Sequence, residues 1–192
     1  MKNSIGTFIR YTRQMLLVDI GLIGQLKIKN AKVLVIGAGG IGSSVLMSLA
    51  GMGVGCIGIV ENDVVEISNL HRQTIHSVAN VNKSKAESAK QFIESLNPLC
   101  NVILHGTRIN QANALGIVTQ YDLVIDGCDN ATTRYIVNDA CVLLNVRLEE
   151  NLDFWRCGEV GGSGYYIQLS RRPLLSMLVS RVPQWISSDE LP

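Results

Sequence analysis

Four apolar residues, Val33 to Ile36, run straight into GAGGIG, Gly37 to Gly42, after which Val45, Leu46, Leu49 and Ala50 recur at helical spacing. No other stretch restricts the fold as strongly. A short uninterrupted apolar run is the pattern of a strand buried on both faces, and the stripe that follows is one side of a helix, so the glycines occupy a strand-to-helix turn. Gly37, Gly39 and Gly42 fit the G-x-G-x-x-G pattern, which lets phosphate approach backbone amides at a helix N-terminus, where partial positive charge collects. Gly40 opens the turn further. At this point three explanations stay open: a dinucleotide, ATP, or only close packing of helix on strand.

The alternation continues downstream. Strands are expected at 33–36, 56–60, 102–104 and 123–125, with helices at 42–52, along the stripe Ala86, Ala89, Phe92, Ile93 and Leu96, and after Asp129, where Asn130 serves as the cap. Such alternation predicts an α/β, Rossmann-like fold with a mostly parallel sheet and helices on both faces. Ligands of these sheets bind beyond the carboxyl ends of the strands. Upstream, Leu16, Leu17, Ile20 and Ile23 mark an N-terminal helix, broken at Gly21 and Gly24, that carries RYTRQ (10–14) up to the first strand. Beyond Leu144 charges cluster, and no further strand is expected.

The composition narrows the class. With 47% hydrophobic residues the 192-residue chain can enclose a core, and a net charge of +1 leaves no basic field for nucleic acid. The five cysteines include no C-x-x-C pair, which argues against a disulfide framework and a zinc site. Charges interrupt every stretch long enough to span a bilayer, so no membrane association and a cytoplasmic location are expected.

Several side chains fall at the ligand edge. Glu61 ends the second strand nineteen positions after Gly42, where an acid can take ribose hydroxyls. The loop ENDVVEISNLHRQTIH then brings Asp63, Asn69, Arg72 and Gln73 beside the nucleotide position; cations and amides there suit a triphosphate better than a nicotinamide ring. As an alternative, Arg72 is a solvated loop arginine. Lys85, early in its helix, opposes the macrodipole unless an anion compensates it, which suits a phosphate, while a surface lysine is the plain alternative. Asp126 and Asp129 end the fourth strand. Asp129 suits magnesium as a hard oxygen ligand or the helix start as an acid; Asp126 equally fits a satisfied core acid. By spacing, His71, His76 and His105 are loop or surface groups, and Cys128 and Cys141 small core residues.

RYTRQ, GAGGIG, SNLHRQ, NKSKAESA and DGCDN, in this order and spacing, resemble the ThiF/HesA/MoeB family of ubiquitin-activating-enzyme-like adenylyltransferases. Within it, the DVVEISN loop and NDACVLL helix resemble the eukaryotic branch that serves molybdopterin synthesis and tRNA 2-thiolation. The resemblance runs from about Arg10 to Leu144. It implies a homodimer that binds ATP with magnesium and adenylates the C-terminal Gly-Gly of a ubiquitin-fold sulfur-carrier protein. The matching positions imply that Gly37, Gly39, Gly40 and Gly42 hold phosphate, Glu61 takes the ribose, and Ser68, Asn69, Leu70, His71 and Arg72 bind the nucleotide. Lys85 then neutralises the triphosphate, Asp129 holds magnesium beside Asn130, and Arg13 reaches in from the other subunit.

Two departures accompany the resemblance. The family usually has Asp where Glu61 stands. After the NDACVLL helix it continues with a strand, a glycine-bearing hairpin, paired C-x-x-C zinc ligands and a catalytic cysteine, none of which the sequence here displays. The expected division is therefore an ATP-binding adenylation domain over 1–146 and a divergent tail over 147–192, attributed to an altered reading frame or splice choice. A truncated non-catalytic subunit that dimerises with an intact homologue, and an NAD-dependent oxidoreductase, are the other readings.

Overall fold

The computed structural model describes residues 2–150 of the chain, with side-chain environments over 9–149. The elements run α1 (Lys2–Met15), α2 (Gly21–Asn30), β1 (Lys32–Ile36), α3 (Gly40–Met52), β2 (Cys56–Val60), α4 (Lys85–Leu96), β3 (Asn101–His105), α5 (Ala114–Val118), β4 (Leu123–Asp126), α6 (Ala131–Leu144) and β5 (Arg147–Glu150). The five strands pair in the order β3-β2-β1-β4-β5, every pair parallel. Parallel neighbours require crossover helices, and those helices bury both faces of the sheet.

Strand alternation sorts the core into two halves. Val33 and Val35 of β1, with Ile57, Ile59 and Ile125, face Val45, Leu46 and Leu49 of α3 and Ala89 and Ile93 of α4. Leu34, Ile36 and Val124 face Ala114, Ile117 and Val118 of α5 and Val137, Ala140 and Cys141 of α6. A fully buried Leu, Ile or Val contributes about 1.5–3 kcal/mol, so these two clusters dominate the stability of the sheet. The expected Rossmann-like fold with helices on both faces is the one observed.

β1 leads to β2 on one side of the sheet while β4 lies on its other side. The strand order therefore reverses between β1 and β4, and their carboxyl ends, Ile36 and Asp126, stand in register. This is the switch point at which such sheets bind ligands.

Three expectations need correction. The N-terminal segment forms two helices instead of one: residues 16–20 form the turn between them, Gly21, at φ of 54°, opens α2, Gly24 continues inside it, and of the four marker residues only Ile20 is buried. The strand judged missing after α6 is present as β5, parallel to β4. Its RLEE sequence disguised it, because Leu148 packs on the core while Arg147 and Glu149, two apart and so on one face, pair with each other. α5, which carries the crossover from β3 to β4, was not anticipated, although Ala114, Ile117 and Val118 have its spacing. The zinc and tail assignments beyond residue 150, including Cys157, lie outside the described residues.

Candidate nucleotide site

The Gly-rich turn holds two kinds of glycine. Gly37 has φ of 89°, and a Cβ at Gly42 would overlap the Gly37 carbonyl oxygen, so the fold itself needs both. Gly39 and Gly40 are different. Neither has positive φ, and a Cβ would lie only 3.8 Å from Gln73 Nε2 or 3.7 Å from Arg72 Cγ, in ordinary contact. What these two missing side chains leave open is the space between the N-terminus of α3 and the loop carrying Arg72 and Gln73. The fold does not explain them; close approach of a ligand to the backbone does.

The turn that follows β4 closes the other side. A Cβ at Gly127 would stand 3.1 Å from the Ile36 carbonyl and 3.3 Å from the Gly42 amide. Asp126 is a core acid: its Oδ1 accepts the Cys128 N–H at 2.9 Å and its Oδ2 lies 3.7 Å from Arg134 Nε. Arg134 also donates to the Cys128 carbonyl at 2.9 Å. The effect is to fix the DGCDN turn and leave Asp129 exposed at the lip. Asn130 caps α6, accepting the Thr132 N–H at 2.9 Å. Burial, with Asp126 adding to it, pushes the Cys128 thiol up to about 11, so it is no nucleophile at neutral pH.

Glu61 is buried and turned back on the backbone. Its Oε2 accepts the Ala38 N–H at 2.9 Å, and its Oε1 accepts the N–H groups of Asn62 and Asp63 at 2.8 and 2.9 Å. A carboxylate has about four acceptor sites, so these bonds leave room for one hydroxyl. The longer Glu side chain thus fastens the Gly-rich turn to the end of β2.

The loop beyond β2 begins with a short 3-10 turn, Ile67–Asn69. Asn69 Oδ1 accepts from Arg72 Nη2 at 3.2 Å, and Arg72 Nη1 reaches the Ser68 carbonyl at 3.5 Å and lies 3.4 Å from His71 Nε2. Arg72 is exposed, yet its stem lies over Gly40 and its head is held by the loop, unlike a freely solvated arginine. Ser68 donates to Glu66 at 3.0 Å, and Leu70 is half-buried. Gln73 is 4% exposed, and its buried Oε1 has no hydrogen-bond partner among the described residues. An orphaned buried acceptor beside an open turn points to a missing donor.

Lys85, the first residue of α4, is 6% exposed, which excludes the surface-lysine alternative. Its Nζ donates to Asp63 Oδ2 at 3.2 Å, so in this structure Asp63 supplies the anion that a cation at a helix N-terminus requires. Ser84 caps the helix, accepting the Glu87 N–H at 3.4 Å, in the S-x-x-E capping pattern.

The family profile described as "ThiF family" matches residues 11–165. The chain belongs to the ThiF family. It is 55% identical over 134 residues to the probable adenylyltransferase/sulfurtransferase MoeZ of Mycobacterium tuberculosis, covering 70% of this chain and 34% of the relative. It is 51% identical over 135 residues to the adenylyltransferase and sulfurtransferase MOCS3 of Drosophila grimshawi, covering 70% of this chain and 30% of that protein. The chain thus spans about a third of the length of these relatives. Among solved structures, the E. coli tRNA N6-threonylcarbamoyladenosine dehydratase TcdA in complex with ATP superposes with a TM-score of 0.65 at 26% identity, covering 76% of this chain and 56% of that one.

Within this ThiF chain, the residues singled out by sequence converge on the switch point, with one exception. Arg13 is exposed and sits at the far end of α3. Its neighbours hold it there: Gln14 Nε2 donates to the Met52 carbonyl at 3.1 Å, and Tyr11 packs on Gly53, the C-cap of α3. His76 lies in a loop, as expected, but is buried there. It is 7% exposed, with Nδ1 2.8 Å from Ser88 Oγ and Nε2 3.0 Å from the Ala38 carbonyl. His105 is half-buried against Tyr121, 2.7 Å from its hydroxyl, while His71 is exposed as expected. Asp63, expected beside the nucleotide, meets Lys85 there; Arg134 and His76 were not foreseen as parts of the site, Arg134 reaching back from α6 to the DGCDN turn and His76 meeting Ala38 from 38 residues away.

Proposed function

We propose that the chain binds ATP at the switch point and adenylates the C-terminal Gly-Gly of a ubiquitin-fold sulfur-carrier protein, in the cytoplasm, for molybdopterin synthesis or tRNA thiolation. The observation that carries this reading is the pair Gly39 and Gly40, absent side chains that the fold does not require, beneath Arg72 and Gln73. Phosphate fits there against the α3 N-terminus, with Arg72 above it and Lys85 able to exchange Asp63 for a phosphate oxygen. Glu61 has one acceptor site left for a ribose hydroxyl, and the orphaned Gln73 Oε1 calls for a donor, which the nucleoside supplies. Cations at this position favour a triphosphate over a nicotinamide ring.

Asp129, an exposed hard oxygen ligand at the lip, would hold magnesium, which when bound neutralises charge on the phosphates. The carrier's carboxylate is already ionised at neutral pH, so its attack on the α-phosphorus needs no general base. Negative charge spreads over the phosphorus oxygens as pyrophosphate leaves, and Arg72, held by Asn69, together with Lys85, moved from Asp63 onto the phosphates when ATP binds, is in place to stabilise it. The reading includes a homodimer in which Arg13 serves the partner's site.

Exchange of labelled pyrophosphate into ATP tests this reading. Exchange that depends on a carrier ending in Gly-Gly supports it, and a chain that binds ATP but shows no such exchange overturns the adenylation step. Arg72→Ala and Lys85→Ala are each expected to weaken ATP binding roughly ten- to a hundredfold, since a charge-assisted contact is worth about 1.5–3 kcal/mol. Thermal midpoints should change little, because Arg72 is exposed and Asp63 remains solvated without Lys85. ATP affinity equal to the parent's would remove both residues from the site.

A further inference from the structure

We infer that His76 is a positioning residue that clamps the Gly-rich turn to the helix carrying Lys85. The Ala38 peptide is held at both ends: its N–H donates to Glu61 Oε2 at 2.9 Å, and its carbonyl faces His76 Nε2 at 3.0 Å. A carbonyl only accepts, so the Nε2 nitrogen carries the proton. In the neutral ring Nδ1 is then the acceptor, and Ser88 Oγ donates to it at 2.8 Å. Ser88 lies on α4, one turn beyond Lys85, and is 2% exposed.

The chain of contacts therefore runs from the turn, through a buried imidazole, to the helix that presents the cation. Ala38 stands between Gly37, at φ of 89°, and Gly39. Glycines on both sides give this peptide freedom to rotate, and the two bonds remove it. Burial keeps the ring neutral, the Ala38 carbonyl opposes this, nearby Lys85 adds to it and Glu61 opposes it. These two charged groups, one from α4 and one from the end of β2, are the ones that act on the ring. No step of the proposed adenylation uses His76 directly, so its bonds act through the turn's conformation. What the turn holds rests on the nucleotide reading above; the clamp itself does not.

Three variants separate a clamp from a merely space-filling ring. In His76→Gln the side-chain amide nitrogen falls near the Nε2 position and keeps a donor for the Ala38 carbonyl. His76→Asn keeps polar contact near Nδ1 but does not reach Ala38, and His76→Phe keeps the volume without either bond. Amide hydrogen exchange of the unliganded 192-residue chain and its affinity for ATP with magnesium are the two readouts. The Asn and Phe variants should exchange faster at Ala38 and Gly39, with exchange over 33–36 unchanged, and bind ATP roughly five- to tenfold more weakly, the scale of one lost hydrogen bond. His76→Gln should retain most of the parent's protection and affinity.

Unaltered exchange at Ala38 in the Asn variant, or equal losses in Gln and Asn, would overturn the clamp. Should His76→Phe fail to fold, the Gln and Asn pair decides alone. A parent chain that binds no ATP would sink the nucleotide reading while exchange at Ala38 still decides this one.

Discussion

Gly42→Ala is expected to lower the thermal midpoint by roughly 5–10 °C and to abolish measurable ATP binding, while Gly51→Ala, in the same helix, raises the midpoint slightly. On propensity alone the two should behave alike, since Ala in place of a helical Gly gains about 1 kcal/mol. Their surroundings decide the sign. A Cβ at Gly51 meets nothing within 4 Å, whereas one at Gly42 overlaps the backbone oxygen of Gly37. A side chain could swing away; a carbonyl locked in the turn cannot. Overpacking of this kind costs about 1–3 kcal/mol, occasionally more, and each kcal/mol moves the midpoint by about 2–4 °C in a domain of this size. The turn must open to accept the methyl group, which displaces the amides that would receive phosphate. Calorimetry and ATP titration on both variants test this, and a Gly42→Ala chain that melts and binds like the parent would show the turn to be far more pliable than its contacts imply.

The sequence made the frame of the sheet legible where local pattern and tertiary role agree. Val33 to Ile36 are apolar at every position because β1 is central and covered on both faces, so the run announces a buried parallel strand. At the edge the signal fades: in β5 Leu148 packs on the core and the charges on either side of it, Arg147 and Glu149, pair with each other, leaving four residues that read as loop. The N-terminal helices misled for a related reason. Leu16, Leu17 and Ile23 are apolar yet 71%, 53% and 62% exposed, so their spacing reports something other than this chain's own core.

The site divides along the same line. Arg72, Lys85 and the glycines were legible because their residue types are uncommon in those local settings. Which anion meets Lys85, and that Glu61 spends most of its acceptor sites on backbone amides, depends on segments brought together only by folding. The same holds for His76, whose partners Ala38 and Ser88 lie 38 and 12 residues away. A lone histidine in a loop carries no local sign of burial.

Mixing Arg13→Ala chains with Asp129→Ala chains is expected to restore about a quarter of the parent's carrier-dependent pyrophosphate exchange, although neither variant alone has any. The expectation rests on where α1 is fastened. Tyr11 and Gln14 flank Arg13 and anchor it at the C-terminal end of α3, with Tyr11 accepting from buried Asn97 at 2.6 Å and Arg10 donating to the Leu96 carbonyl at 3.0 Å. The Gly-rich turn is at the opposite end of that 13-residue helix, about 18 Å away at 1.5 Å per residue. An arginine side chain extends about 7 Å on covalent geometry, so Arg13 does not reach the turn of its own chain. In the proposed homodimer it serves the partner, as arginine fingers supplied in trans do. Random mixing makes about half of the dimers mixed, and symmetry gives each of those one site with both groups intact and one with neither. A quarter of the sites therefore recover. No recovery, with subunit exchange verified by differently tagged chains, would remove Arg13 from the partner's site.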